Sequence, residues 1–428
     1  MSLPYFEING GPRLKGRVRV SGAKNAALPI MAASILCEGE VILHEVPDVA
    51  DVKSLSDLLV KLGVEVERRG DGTLRLVARD EMNCRAEYDI VRKMRASICV
   101  LGPLLAKRRQ AQVSMPGGCA IGDRPVDIHL RAMRQLGADL ELVSGDIVAR
   151  AKRLRGREIF MGGPFGSTVL GTANAMMAAC LAEGTTVLEM AACEPEVVDL
   201  ANFLNRCGAS ITGHGTPRIV IEGVKELHGC EYTIIPDRIE AGTFMVAAAI
   251  TNGEVTIENC RLDHLMAFVD RLTAIGVNVE KEPAGGVTVS SARHLEPVDV
   301  TTQPFPGFPT DLQAQIMALL CLADGNSIIT EKIFPDRFLH VAELNRMGAH
   351  LRKEGPTVIV EGVKRLIGAP VMASDLRASA ALVLAGLAAR GTTRVNRIYH
   401  LDRGYARFDE KLRALGADIQ RKEGDEVL

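Results

Sequence analysis

The chain has 428 residues, 47% of them apolar, and carries 51 Lys plus Arg against 53 Asp plus Glu for a formal charge of -2. That length exceeds one ordinary core and fits two or three domains, and the near-neutral balance excludes a surface built mainly to neutralise nucleic acid. Ten cysteines without a CxxC pair and nine histidines without HExxH or clustered ligand spacing support neither a zinc site nor a redox dithiol. The start, MSLPYFEING, lacks a basic stretch followed by an apolar core, and no apolar run reaches the roughly 18 residues of a membrane span. The expectation is a cytoplasmic protein with reduced thiols, no metal, no cofactor and no membrane or nucleic-acid partner.

In chain order, the first informative segment is SGAKN, with Lys24 and Asn25, entering the apolar helical stretch AALPIMAASIL. A turn and strand, EGEVILHEV, and a second helix ending in KLGVEVE follow. The next unit enters at VRKMRAS with Arg95, carries the poorer turn-strand match RRQAQVSMPG, continues through PGGCAIGDRPVD, and ends in QLGADLE. The third reads MGGPFGSTVLGTAN, then ANAMMAACLA, EGTTVLEMA and RCGASIT. The fourth enters at PDRIEAGT with Arg238 and runs through NGEVTIENC to AIGVNVE. The fifth enters at FPTDLQAQ with Asp311, then reads DGNSIITEK, FPDRF with Arg337, and RMGAHLR. The sixth enters at SDLRAS with Asp375 and Arg377, then reads AALVLAGLAA, RGTTRVNRI, HLDRGY with Arg403, and ALGADIQ.

The glycines closing these units, Gly63, Gly137, Gly208, Gly276, Gly348 and Gly416, are 74, 71, 68, 72 and 68 residues apart. Six units of about 70 residues are predicted, each glycine ending a helix in a left-handed conformation before a half-buried strand. Helices and strands alternate throughout, so the fold class is α/β. Three units could surround one core, giving two lobes with a cleft between them.

Basic and acidic residues collect at two places in the unit, the entry to the apolar helix and the loop leaving the next strand. A helix start offers unpaired N–H groups and partial positive charge, which suits phosphate and carboxylate. Each of these residues taken singly also reads as a cap or a surface ion pair. Their recurrence points instead to a concentrated anion site formed by Lys24, Arg95, Arg124, Arg337, Arg377 and Arg403. Cys119 lies among Pro116, Gly117, Gly118 and Gly122, on a loop that is neither regular helix nor strand, with Arg124 nearby to tune the thiol. Its chemistry leaves both proton donation and nucleophilic attack open. Asp311, at a helix start, reads as a base for a hydroxyl or as a simple N-cap.

These residues carry a resemblance. SGAKNAALP, MRAS, PGGCAIGDRPVD, FPTDLQAQ, RMGAH, DLRASAALVLAG and RIYHLDRGY resemble, in order and nearly end to end, the UDP-N-acetylglucosamine 1-carboxyvinyltransferase family. The sister 5-enolpyruvylshikimate-3-phosphate synthases share fold and reaction type. Their entry motif usually has Ser where this chain has Asn25, and they lack a loop like that around Cys119. The resemblance implies two inside-out α/β barrels of three repeats each, with residues 22–235 as one domain and 1–21 with 236–428 as the other, and the active site in the interdomain cleft. It implies transfer of the enolpyruvyl group of phosphoenolpyruvate to UDP-N-acetylglucosamine at the first committed step of peptidoglycan synthesis, and sensitivity to fosfomycin. Cys119 would protonate the methylene carbon, and Asp311 would assist deprotonation of the sugar 3-hydroxyl. Lys24, Arg124 and Arg403 would bind phosphoenolpyruvate, and Asn25 the ketal. Arg95, Pro125, Val126, Asp127, Ile128 and Ile333 would line the UDP-sugar. Asp375 and Arg377 would serve a second proton transfer and an anion, and Arg337 an anion. Where common members carry a lysine near the diphosphate, this chain reads MGGPFGSTVLGTAN, so backbone N–H groups of Gly163, Gly166, Ser167 and Thr168 are the expected substitute. A catalytically silent relative that only binds the UDP-sugar is the alternative from another class.

Overall fold

The computed structural model describes residues 3–92, 94–115, 126–283, 285–292 and 294–424. The described residues divide into two compact units. One runs from Gly22 to Ile235, and the other combines residues up to Ser21 with those from Pro236 onward.

The described residues form six four-stranded sheets that share one plan, besides two two-stranded ones. The strand that follows each apolar helix, such as Glu40–His44 or Glu254–Glu258, is central in its sheet. It pairs in parallel with a short strand on one side and antiparallel with a hairpin strand on the other. The strand after each closing glycine then pairs antiparallel at the edge. All six closing glycines have positive φ, between 81° and 102°. That is the left-handed conformation in which a Cβ is costly, so the chain leaves the helix there and turns into the strand.

The weak match RRQAQVSMPG forms the same strand as its counterparts, Gln110–Ser114. Arg109 takes φ 62° where Gly39, Gly184 and Gly391 stand in other units. The turn is conserved in geometry although its usual residue is replaced.

Among the described residues, the last sheet has no following hairpin strand of its own. The N-terminal strand Tyr5–Asn9 fills that place, antiparallel to both Thr392–Asn396 and Asp418–Lys422. The next strand, Lys15–Arg19, then runs parallel to Glu254–Glu258. The N-terminal segment therefore belongs with the C-terminal residues for a hydrogen-bonding reason: Tyr5–Asn9 fills an interior place in one ladder, and Lys15–Arg19 supplies the parallel edge strand of another.

Within each unit the apolar helices pack on one another. In the first these are Lys24–Ala33, Leu101–Arg108 with the 3-10 turn Arg95–Val100 before it, and Val169–Ala179. In the second they are Arg238–Ile250, Gln313–Leu320 with the turn Thr310–Leu312, and Leu376–Ala388. They are buried on nearly every face, as in Arg238–Ile250, where only the first residue escapes. The sheets present an apolar face to them and a polar face away, shown by the alternating burial of Glu254–Glu258. Phe244 and Phe408 meet at 5.5 Å and Phe268 and Phe308 at 5.6 Å inside the second unit.

The closing glycines are not equally crowded. A Cβ at Gly416 meets nothing within 4 Å, whereas one at Gly63 would lie 2.2 Å from the Asp80 carbonyl oxygen. Gly416→Ala is therefore expected to cost only the left-handed conformation, about 1 kcal/mol, and Gly63→Ala distinctly more. Urea unfolding of the two variants measures the difference; equal losses would count against the steric account.

Candidate active site

The polar ends of the apolar helices gather the candidate residues. In the first unit, Lys24 opens its helix and is 8% exposed. Its Nζ lies 3.0 Å from Oδ2 of Asp51, a buried carboxylate in the first turn of helix Ala50–Lys61. A buried ammonium needs such a partner, yet Asp51 is not singled out by the sequence, where it reads as an ordinary helix-start acid. Asn25 is half-buried beside Lys24, and Arg95 is half-buried at the start of its 3-10 turn.

Cys119, Arg124 and Pro125 lie outside the described residues. Val126 and Ile128 are buried and Asp127 is exposed, the last two in the first turn of helix Asp127–Gln135. Ile128 packs directly on the glycine hairpin formed by Gly162–Gly163 and Gly166–Ser167: a Cβ at Gly163 would come 2.8 Å from Ile128 Cδ1. The structure thus brings the 126–128 segment and the 163–168 segment together. Thr168 caps the helix that follows, its hydroxyl accepting from the Gly171 N–H at 3.2 Å. Arg131 supplies a basic group that MGGPFGSTVLGTAN lacks. Its Nη2 donates to the carbonyls of Phe160 at 2.7 Å and Gly162 at 2.9 Å.

In the second unit, Asp311 is the centre of a tight ionic group. Arg337 Nη1 donates to Oδ1 at 2.8 Å and Arg377 Nη2 to Oδ2 at 2.9 Å. Burial pushes the Asp311 carboxyl up, but the guanidiniums of Arg377 and Arg337 more than reverse this and hold it well below the usual carboxylate range. Arg377 is 3% exposed and lies 5.4 Å from the centre of the Tyr405 ring. Gln315 donates to the Asp311 carbonyl at 2.9 Å and to the Tyr405 hydroxyl at 3.2 Å, tying the turn to the core. Asp311 is thus neither a free base nor the side-chain cap of its helix, which has no side-chain cap bond.

Asp375 is a cap. Its Oδ1 accepts the N–H groups of Arg377 at 2.9 Å and Ala378 at 3.1 Å. His340, 1% exposed, is near Asp375 and Arg337; burial drives its imidazole down to about 4, against the pull of Asp375. Its Nε2 has no hydrogen-bond partner among the described residues. Arg403 is half-buried at the end of the 3-10 turn Ile398–Arg403; burial lowers the proton affinity of the His400 imidazole, and the Arg403 charge lowers it further. The Ile333 N–H is fixed by Glu331 at 2.9 Å. Neither His340 nor Glu331 stands out in the sequence, each lying in an ordinary amphipathic stretch.

The nine described cysteines are all unpaired, and none is exposed. Burial pushes Cys99, Cys180 and Cys321 up to about 12, so these thiols are poor nucleophiles. Among the described residues no His, Cys, Asp and Glu group is arranged to hold a metal, and no helix is long and apolar enough to cross a membrane.

Among solved structures, the enolpyruvyl transferase NikO from Streptomyces tendae matches at a TM-score of 0.89 and 28% identity, over 99% of this chain and 100% of that one. EPSP synthase from Acinetobacter baumannii shares the fold at 0.74 and 19% identity, over 98% and 100%. The family model described as EPSP synthase (3-phosphoshikimate 1-carboxyvinyltransferase) matches residues 8–412. The fold is that of the enolpyruvyl transferases. Proteins named UDP-N-acetylglucosamine 1-carboxyvinyltransferase from Methylacidiphilum infernorum and Nitratidesulfovibrio vulgaris are 53% and 56% identical, over 97% of this chain and 98% of theirs. One from Akkermansia muciniphila is 51% identical over 98% of this chain and 99% of its own. The chain belongs to this family of transferase enzymes, the UDP-N-acetylglucosamine 1-carboxyvinyltransferases.

The Asp311 group predicts a pH signature. Its folded carboxyl value lies below the unfolded value near 4, so its stabilisation is present above that pH and is lost as pH falls through the folded value. Asp311→Asn leaves two buried guanidiniums without their carboxylate and is expected to cost on the order of 3 kcal/mol at neutral pH. Denaturant unfolding should show the gap from wild type narrowing below about pH 4. A gap independent of pH would remove Asp311 from this role.

Proposed function

We propose that this enzyme transfers the enolpyruvyl group of phosphoenolpyruvate to the 3-hydroxyl of UDP-N-acetylglucosamine and releases phosphate. What carries the reading is the identity of 51 to 56% over nearly the whole chain with relatives named for this transfer. In addition, Cys119 delivers a proton to the methylene carbon of phosphoenolpyruvate while the sugar hydroxyl attacks C2 and its proton passes towards Asp311. The product is a tetrahedral, phosphate-bearing ketal. Loss of a methyl proton and cleavage of the C–O bond to phosphate then yield the enolpyruvyl ether. Lys24, Arg124 and Arg403 neutralise the phosphoenolpyruvate anion, Asn25 contacts the ketal, and Asp375 assists the second proton transfer through Oδ2, since Oδ1 serves the helix cap.

The ionic group around Asp311 supports a specific order of events. With both oxygens held by guanidiniums, Asp311 is a weak base. A substrate anion that competes for Arg337 or Arg377 would free one oxygen and raise its proton affinity. Anion binding and base strength are then coupled through the same two side chains. Arg95, Pro125, Val126, Asp127, Ile128 and Ile333 would surround the UDP-sugar, and Gly163, Gly166, Ser167 and Thr168 the diphosphate. The candidate residues are divided between two inside-out α/β barrels of three repeats each, and we assign them to one site completed when the substrates bind, in a cleft shielded from water. The product would enter peptidoglycan synthesis as its first committed precursor in the cytoplasm.

Phosphate release from phosphoenolpyruvate should require UDP-N-acetylglucosamine; release with shikimate-3-phosphate instead, or with neither acceptor, would sink the assignment. Among the ten cysteines, Cys119 alone should be alkylated rapidly by fosfomycin, as peptide mapping would reveal, and Cys119→Ser should abolish turnover. Primary labelling at any of the nine suppressed or buried thiols, or full activity of Cys119→Ser, would remove the proton-donor role.

A further inference from the structure

Glu331 is fully buried, and no cation among the described residues pairs with it. A buried carboxylate without a counter-ion persists only if hydrogen-bond donors saturate it. Four do so. Oε1 accepts from the Thr302 hydroxyl at 2.5 Å, the Ile333 N–H at 2.9 Å and the Phe334 N–H at 3.0 Å, and Oε2 accepts from the Thr310 hydroxyl at 2.8 Å. Thr302 in turn accepts the Lys332 N–H at 2.9 Å.

Two lines leave this carboxylate. Through the amides of Ile333 and Phe334 it fixes the loop that leaves strand Asn326–Thr330. Through Thr310 it reaches the ionic group: the Thr310 hydroxyl gives its proton to Glu331 and accepts from Arg337 Nη1 at 3.0 Å, the same nitrogen that holds Asp311. We propose that Glu331 is a positioning residue for the transfer, holding Arg337 on Asp311 through Thr310 while anchoring the Ile333 loop. The inference rests on the reading of Asp311 and Ile333 under the proposed function.

The chemistry of the hub distinguishes Glu from Gln. A glutamine oxygen can replace Oε1 and keep the two amides, but its NH2 would then face Thr310. Thr310 would meet two donors, Arg337 and the amide, and lose its own acceptor. Glu331→Gln therefore keeps the shape and the loop anchor while breaking the line to Asp311. Thr310→Val breaks the same line from the other side, and Thr310→Ser preserves it.

The experiment is steady-state kinetics with each substrate varied, beside thermal melts, on the full-length wild type, Glu331→Gln, Thr310→Val and Thr310→Ser. Wild-type turnover tests the underlying reading separately. The expected result is a fall in kcat of about tenfold or more for Glu331→Gln and Thr310→Val, with KM for phosphoenolpyruvate little changed and Thr310→Ser close to wild type. A merely structural role would lower the melting temperature and leave kcat below the melt intact. Kinetics of both variants within about twofold of an active wild type would overturn the proposal. If Glu331→Gln does not fold, Thr310→Val against Thr310→Ser decides it: equal kcat for the two overturns it, and a fall confined to Val supports it.

Discussion

A helix that is apolar on every side can be stable in water only if it is enclosed, and then only its ends can carry polar chemistry. Six such helices govern this protein. Enclosing three of them requires sheets with one apolar face, and every unit provides one, including the last, whose sheet is completed by the N-terminal strand Tyr5–Asn9. Several of the candidate side chains accordingly stand at helix starts or in the turns that open them: Lys24, Arg95, Thr168, Arg238, Asp311 and Asp375.

At those starts, and at Glu331 after strand Asn326–Thr330, the protein must reconcile charge with burial. Lys24 is matched by Asp51, Asp311 by two guanidiniums, and Glu331 by four donors of no net charge. A buried ion pair is weak evidence for stability, because the cost of desolvation offsets much of the attraction. What such pairs do supply is orientation. The same bonds that make the charges tolerable fix the guanidiniums of Arg337 and Arg377 on the two oxygens of Asp311 and keep its carboxyl ionised.

Thiol chemistry divides along the same line. Cys99, Cys180 and Cys321 are buried, and burial raises the cost of a thiolate there, so they behave as small apolar residues. The glycine-rich sequence around Cys119 has a different composition, and that composition alone sets one cysteine of the ten apart.

The sequence by itself determined the modular plan, because a left-handed helix end strongly favours glycine and an apolar helix or alternating strand leaves a period that can be read directly. It also identified the charged residues at helix entries, since charge beside a wholly apolar stretch is conspicuous. The substitution of Arg109 for a turn glycine hid one unit only in part, because a single residue changed while the strand pattern persisted. Partnerships were decided by the tertiary structure alone. Arg337 and Arg377 lie 26 and 66 residues from the Asp311 they share, Asp51 looks like any acid in a first turn, Arg131 reaches the glycine hairpin from helix Asp127–Gln135, and Glu331 follows an ordinary strand. A local pattern records which face of an element is buried, whereas a hydrogen bond between distant segments depends on where the folded chain brings them, and no periodicity encodes that.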